Sequence, residues 1–272
     1  MEELTTNAFV LRTRNYGESD RIVVLLTEAL GKVSAIAKGA RRSHRRFAGG
    51  ALEPFGEIAV RLAPKAYGSL GFLHESRVLS SNIKVASDLD AYAWASYLTE
   101  LTELMTAEHD PARDLYVFYR NVIARLGSGP AEPVAHHYVL GLLERSGWAP
   151  DLETCGICAE PVGEYSRPIL DARGSGVVCS RHEAEARGID PEDETFRPSR
   201  RVIDNELLSY VRRAALEIPD PAARALSDLA TALLERLVDL HLGRNLRSRP
   251  FLKELRVERK RAEQAAQTSK EE

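Results

Sequence analysis

The chain has 272 residues, 44% hydrophobic and 28% charged, an ordinary balance for a soluble globular protein with room for two domains. No run approaches the ~20 apolar residues of a membrane span, and Met1-Glu2-Glu3-Leu4 lacks the basic-then-apolar order of a secretory leader. The net charge of −3 hides an uneven distribution: residues 1–80 carry twelve Lys/Arg against eight Asp/Glu, residues 81–242 sixteen against twenty-seven, and residues 243–261 eight against two. Two basic ends around an acidic middle suggest a polyanion surface built from the termini.

The first 80 residues read as strands. Ala8, Val10 and Arg12 alternate, as do Ile22, Val24 and Leu26, and then Val33, Ala35 and Ala37 after Gly31. Two further β-like runs cover residues 51–62 and 68–79, and Gly17, Gly31, Gly49-Gly50 and Gly68 punctuate the series. Five short strands in so small a segment predict a barrel, because closure removes exposed edges; an OB-type barrel fits the count.

From about Asp88 the apolar period becomes helical, with Trp94, Tyr97, Leu98, Leu101, Leu104 and Met105 on one stripe. Leu115, Phe118, Tyr119, Val122 and Leu126 repeat it. A third helix is expected from about Pro133 to Arg145, and two more near 202–217 and 221–242. These stripes read as core. A ribbon interrupts the helical blocks, with Asp171-Ala-Arg-Gly174 as its expected hairpin turn. The segment after about 258 is expected to fray. The expected class is therefore α+β: a five-stranded OB barrel (1–80), a helical domain in two parts (81–150 and 191–258), an inserted zinc ribbon (151–190) and a charged tail (259–272).

All three cysteines fall in the ribbon, as Cys155-Gly-Ile-Cys158 and Cys179-Ser-Arg-His182. Two thiolates three positions apart in a tight turn point at one ion, and a second such turn completes a tetrahedron. Cys155, Cys158, Cys179 and His182 are thus candidate ligands of one structural zinc ion. The plainer alternative, three unconnected buried thiols, gives no reason for the CxxC and CxxH pairing. Four protein ligands close the shell and leave no place for a catalytic water. Cysteines used this way fit a reducing compartment, the cytoplasm by default.

The densest basic segment runs from Lys38 to Gly50 and holds Lys38, Arg41, Arg42, Arg45 and Arg46 without an acid. It joins the third and fourth predicted strands and suits phosphate contacts that release counterions. Arg12, Arg14, Arg21 and Lys32 are expected to extend this patch. Phe47 either stacks a base or, the reading slightly preferred, plugs the loop back into the core. Signatures of catalysis are missing: there is no GxSxG, no HExxH and no spare cysteine. His136 and His137 are adjacent and diverge by about 100° on a helix, so they do not chelate together. His44, His74, His109 and His241 read as surface or helix-face residues.

Ala8-Phe-Val-Leu11, Tyr16-Gly-Glu-Ser-Asp20, Leu26-Thr27, Gly31-Lys32, Ala37-Lys-Gly-Ala-Arg41 and Leu52-Glu-Pro-Phe55 together resemble the opening of RecO, a family of bacterial recombinational-repair proteins. Tyr97-Leu-Thr-Glu-Leu101, Leu115-Tyr116, Leu142-Leu143-Glu-Arg-Ser-Gly147 and the ribbon follow in the family's order. The stretch from His241 to Leu252, with Arg249-Pro-Phe251, is similar to its closing signature. The resemblance implies an OB barrel, a helical domain and an inserted zinc ribbon. It further implies binding of single- and double-stranded DNA, annealing of complementary strands, binding of the acidic tail of single-stranded-DNA-binding protein (SSB), and loading of RecA together with RecR. On that analogy Lys38, Arg41, Arg42, Arg45 and Arg46 are DNA contacts, and the chain works in the cytoplasm on the nucleoid without enzymatic activity. Two positions depart from the family pattern. His182 stands where cysteine is common, and the helix at His136-His137 lacks the basic residues expected of an SSB-tail dock; Leu142 and Leu143 are the first candidates for its apolar pocket, although taken singly each reads rather as core.

Two other classes compete. A zinc hydrolase or deaminase needs an open metal position and a nearby carboxylate; Glu183 and Glu185 are close in sequence, but the ligand set is closed. A zinc-ribbon transcriptional or adaptor protein would show duplex sequence specificity, for which no recognition helix is evident.

Overall fold

A computed structural model of the chain describes residues 3–47, 50–65, 69–163, 168–170, 176–183 and 203–271. Five strands, β1 (Leu4–Tyr16), β2 (Asp20–Thr27), β3 (Gly31–Ala37), β4 (Glu57–Ala63) and β5 (Gly71–Ser80), close into a barrel in the order β1-β2-β3-β5-β4, with β4 returning to β1. Every pairing is antiparallel except β3 with β5, where Ala35 and Ile36 lie beside Gly71 and Phe72. This is an OB-type barrel, as the strand count predicted.

The barrel core is made by Ala8, Val10, Val23, Leu25, Val33, Ala35, Ala37, Ile58, Val60, Leu62 and Leu73. In β2 the inward residues are Val23 and Leu25. Ile22, Val24 and Leu26, the set picked out by alternation, are also buried but on the opposite face. A strand buried on both sides reads as one apolar run, so its pattern does not say which side is in. The run predicted from 51 becomes a strand only at Glu57. Ala51 and Leu52 are apolar because they belong to the barrel core, and Phe55 takes a left-handed φ of 70° in the turn that follows. Gly49 and Gly68 lie outside the described residues.

The helices are α1 (Ile83–Ser87), α2 (Leu89–Met105), α3 (Arg113–Leu126), α4 (Ala131–Arg145), α5 (Asn205–Leu216), α6 (Arg224–Leu242) and α7 (Arg249–Glu271). Asp88 caps α2 by accepting the Ala91 N–H at 2.9 Å, and Asp204 caps α5 through Leu207 at 2.7 Å. The chain divides into two compact units, Met1–Ala131 with Asn245–Glu272, and Glu132–Arg244.

In the first unit, the outer face of β1 is covered by helices: Phe9 lies 5.4 Å from the Tyr116 ring and 5.0 Å from that of Tyr119, both on α3. Gly31 has φ +65°, and a Cβ there would stand 1.8 Å from the Asp110 carbonyl oxygen, so only glycine lets that segment seat against β3. The segment expected to fray is helical. Phe251 meets Tyr92 edge-on at 6.4 Å, Arg256 covers the Trp94 ring and Arg259 pairs with Asp90 at 3.1 Å. Packing against α2 nucleates α7, and the Ala-, Gln- and Glu-rich stretch beyond propagates it.

In the second unit, α4, α5 and α6 pack around buried Tyr138, Leu142, Leu143, Val211, Leu234 and Leu237. The ribbon strands β6 (Asp151–Cys155), β7 (Ile169–Leu170) and β8 (Gly176–Val178) form a sheet ordered β6-β8-β7. Arg212 of α5 ties the ribbon down: its guanidinium donates to the carbonyls of Leu152 (2.6 Å) and Val162 (2.9 Å) and pairs with Glu153 at 3.0 Å. The expected turn Asp171–Gly174 and Glu185 lie outside the described residues.

Candidate nucleic-acid interface and metal centre

The basic loop leaves β3 at Lys38 and is anchored at Phe47. That ring is only 7% exposed and sits in the barrel core, while the Arg46 carbonyl accepts the Ser76 N–H at 2.9 Å. Phe47 is therefore the plug, and its burial holds the loop's cations out in solvent. Lys38, Arg41, Arg42, Arg45 and Arg46 are all exposed. Arg41 donates to the Glu18 carbonyl at 3.0 Å, and Arg42 reaches the Glu18 carboxylate at 3.5 Å. Arg46 closes the loop on itself, donating to the Lys38 carbonyl at 2.7 Å and covering the Phe47 ring. Lys38 and Arg45 form no ion pair among the described residues.

Arg45 and Arg46 also border a groove of about 640 Å³ on the outer face of β4 and β5. Ala59 forms part of its floor, and Arg61, Glu75 and Arg77 line it. Arg61 is held by Glu3 at 2.8 Å and Glu75 at 3.1 Å; Arg77 is exposed and has no ion pair among the described residues. Sequence reading missed Arg77, because nothing along the chain brings it beside Arg45.

The expected extension of the patch does not hold for three of its four members. Arg12 pairs with Glu103 at 2.7 Å, and Arg21 with Glu53 at 3.3 Å. Lys32 donates to the Glu103 carbonyl, and its burial depresses its pKa despite the nearby Glu108 and Glu103 carboxylates. Arg14 alone remains exposed. At the other end of β3, the ammonium groups of Lys38 and Lys65 each lie 5.1 Å from the centroid of the half-buried Phe72 ring.

In the ribbon, the ligand atoms of Cys155, Cys158, Cys179 and His182 all lie within 4.8 Å of one another. Two turns bring them there. Cys155 ends β6, and its carbonyl accepts the Ala159 N–H at 2.8 Å; Cys179 follows β8, and its carbonyl accepts the His182 N–H at 3.0 Å. The imidazole presents Nδ1, 3.1 Å from the Cys179 sulfur and 3.7 Å from that of Cys155. The Cys179 N–H donates to the Cys155 sulfur at 3.3 Å. Burial raises the Cys155 thiol, but the N–H groups of Cys158, Cys179 and Ile157 outweigh it and hold the thiol at about 6. That field favours a thiolate, the form that binds a metal. Three thiols and an imidazole so arranged fit a metal ion, and the four residues named from spacing are the four that converge.

The histidine helix is different from its expected role. His136 is 1% exposed, bonded through Nδ1 to the Tyr210 hydroxyl at 2.9 Å and through Nε2 to Thr231 Oγ1 at 2.8 Å. His137 Nδ1 donates to the Ala214 carbonyl at 2.8 Å. Leu142 and Leu143 are core, 1% and 0% exposed. These leucines and His136 offer no surface to a peptide tail.

Comparison with known sequences decides the family. Residues 1–82 match the family described as Recombination protein O N terminal, and residues 86–250 match Recombination protein O C terminal. The chain belongs to the RecO family. A DNA repair protein RecO from Anaeromyxobacter sp. (strain K) is 35% identical over 258 residues, covering 94% of this chain and 98% of the relative. The DNA repair protein RecO of Myxococcus xanthus (strain DK1622) is 34% identical over 253 residues, covering 93% and 98%. That of Pelobacter propionicus (strain DSM 2379 / NBRC 103807 / OttBd1) is 31% identical over 252 residues, covering 91% and 95%. The two matches span the barrel, helices α2 to α6 and the ribbon. Among the described residues no helix is long and apolar enough to cross a membrane.

Proposed function

We propose that this RecO-family chain is a non-enzymatic recombination mediator. It binds single- and double-stranded DNA, anneals complementary strands and, with RecR, helps RecA replace SSB. The observation that carries the reading is the loop pinned by Phe47, which displays five cations beside a groove bordered by Arg45 and Arg77. Such a surface contacts phosphates and carries no sequence code of its own. Family membership supports the partners, and the acidic SSB tail would dock on a surface other than Leu142 and Leu143. The ion held by Cys155, Cys158, Cys179 and His182 is zinc in this reading. It braces the ribbon, and four protein ligands leave it no reactive position. The place of work is the cytoplasm, on the nucleoid.

The test is a salt titration of single- and double-stranded oligonucleotide binding, with and without RecR. Affinity that falls linearly with the logarithm of salt, with little dependence on base sequence, supports the reading. Tight binding to one duplex sequence only would favour a transcriptional adaptor instead.

A further inference from the structure

We infer that Phe72 is a stacking platform for one unpaired base of a nucleic-acid strand, with Lys38 and Lys65 holding the phosphates on either side. The inference rests on the DNA-binding reading above and assigns a residue to it. Phe72 is the second residue of β5, on the outer face of the barrel, beside Ile36 of β3 in the parallel pairing and Ala63 of β4 in the antiparallel one. It is half-buried, and it stands outside the cluster of residues that fill the barrel. The ring thus has an apolar footing without being part of the core.

Its neighbours give it a direction. Lys38 comes from the end of β3 and Lys65 from the loop after β4, and both ammonium groups settle 5.1 Å from the same ring. Both side chains are exposed, and neither makes an ion pair among the described residues. Asp20 feels the Lys38 charge, but its carboxylate is already engaged, accepting the Gly39 N–H at 2.8 Å and the Ser19 hydroxyl at 2.8 Å. Both ammonium groups lie over the Phe72 ring; swinging from it to the two phosphates of a nucleotide, they would leave the π-surface between them to the base.

The rest of the barrel narrows the path. The strand 2–3 face of an OB barrel and the loops beside it are where oligonucleotides usually lie. In this chain the first half of that face on β3 is already occupied. Ser34 bonds the Glu108 carboxylate at 2.6 Å, and the Lys32 carbonyl accepts the His109 N–H at 2.8 Å. The end of β3, with Ile36 and Phe72, is the part of it left open. Arg41 and Arg42 emerge from the loop that starts at Lys38, which extends the positive surface from the platform.

The experiment compares the full-length wild-type protein with Phe72→Leu and Phe72→Trp on oligo-dT and on a duplex of equal length. Phe72→Leu keeps the apolar footing and removes the π-face. It should weaken oligo-dT binding about five- to 150-fold, the range for one missing stack, while leaving the salt slope and duplex binding unchanged. Phe72→Trp should retain affinity and show quenching of indole fluorescence on oligo-dT, beyond that of wild type with its own Trp94 and Trp148. Thermal melting of both variants checks that the barrel is intact; if Phe72→Leu unfolds, the fluorescence of Phe72→Trp still decides. Wild-type oligo-dT affinity in Phe72→Leu, or no added quenching in Phe72→Trp, overturns the platform and leaves the DNA reading standing. A wild-type protein that binds no oligo-dT at any salt overturns both.

Discussion

Ser248 gives both its backbone N–H and its hydroxyl to one oxygen of Glu100, at 2.8 and 2.7 Å. The other oxygen takes the Arg247 N–H at 3.0 Å and its Nε at 3.3 Å. A carboxylate from α2 thereby caps α7, a helix with no acid in its own first turn. Burial alone would raise Glu100, but these four bonds outweigh it and hold the carboxyl below its ordinary value. A depressed folded-state pKa contributes stability above the ordinary glutamate value, and that contribution is lost as pH falls through the folded-state value. Glu100→Gln should therefore cost about 1–3 kcal/mol at neutral pH, as expected for charge-assisted bonds. The gap to wild type should close in acid. Urea melts of both proteins at neutral pH and below the ordinary glutamate value check the sign.

Replacing Arg41, Arg42, Arg45 and Arg46 together should weaken DNA binding uniformly across sequences. The log–log salt slope on single strands should also fall by about 0.7 for every phosphate that the variant no longer neutralises. Arg45 alone among the four has no hydrogen bond or ion pair among the described residues, so Arg45→Ala should change the slope with the least change in stability. An unchanged slope in the quadruple variant would place the contacts on the basic segment 243–261 instead.

Elemental analysis should find one zinc per chain, and Cys158→Ser should lose it. Because binding a structural ion is coupled to folding, that variant should melt earlier, and a chelator should reproduce the shift in wild type. DNA affinity should fall only as far as the folded fraction does.

Thr231 donates its hydroxyl to the Ser227 carbonyl at 3.0 Å and so accepts from His136 Nε2–H, which leaves Nδ1 to accept from Tyr210. Burial first, and the Glu132 charge second, push the Tyr210 hydroxyl up to about 12, so it stays protonated as the donor. His136→Leu should cost about 1–3 kcal/mol by orphaning that hydroxyl. In a Tyr210→Phe background the same change should cost less, and the difference, read from denaturant melts, measures the bond. Equal losses in both backgrounds would mean that the bond adds nothing.

Much of this was legible in the sequence because it is local. Alternation bounded by glycines located the strands, and the x–x spacings located four ligands that the fold does bring together. What was left open or went wrong was decided by distant partners. Phe47 is the plug that the sequence reading preferred, but the residues around it are the same for a plug and for a base-stacking ring; Ser76 and the core choose. Adjacency to His137 says only that His136 does not chelate with it; its burial is decided by Tyr210 and Thr231. Residues 259–271 look like a fraying tail because α2, which seats the helix leading into them, lies far away in sequence. Lys65 and Phe72 carry no motif, and it is the parallel pairing of β3 with β5 that sets them beside Lys38.

The unit that contains the barrel is discontinuous: it starts at the N-terminal strand, breaks at Ala131 and resumes at Asn245. A ribosome therefore delivers α2 long before the helix that covers it. Residues 132–244, made second, complete their own unit inside a host still missing Phe251 and the buried Leu252. The usual order, in which the N-terminal unit finishes first, is reversed here. Until Asn245–Glu272 is made, the Trp94 face of α2 lacks its Arg256 cover, so the first unit to begin is the last that can be completed.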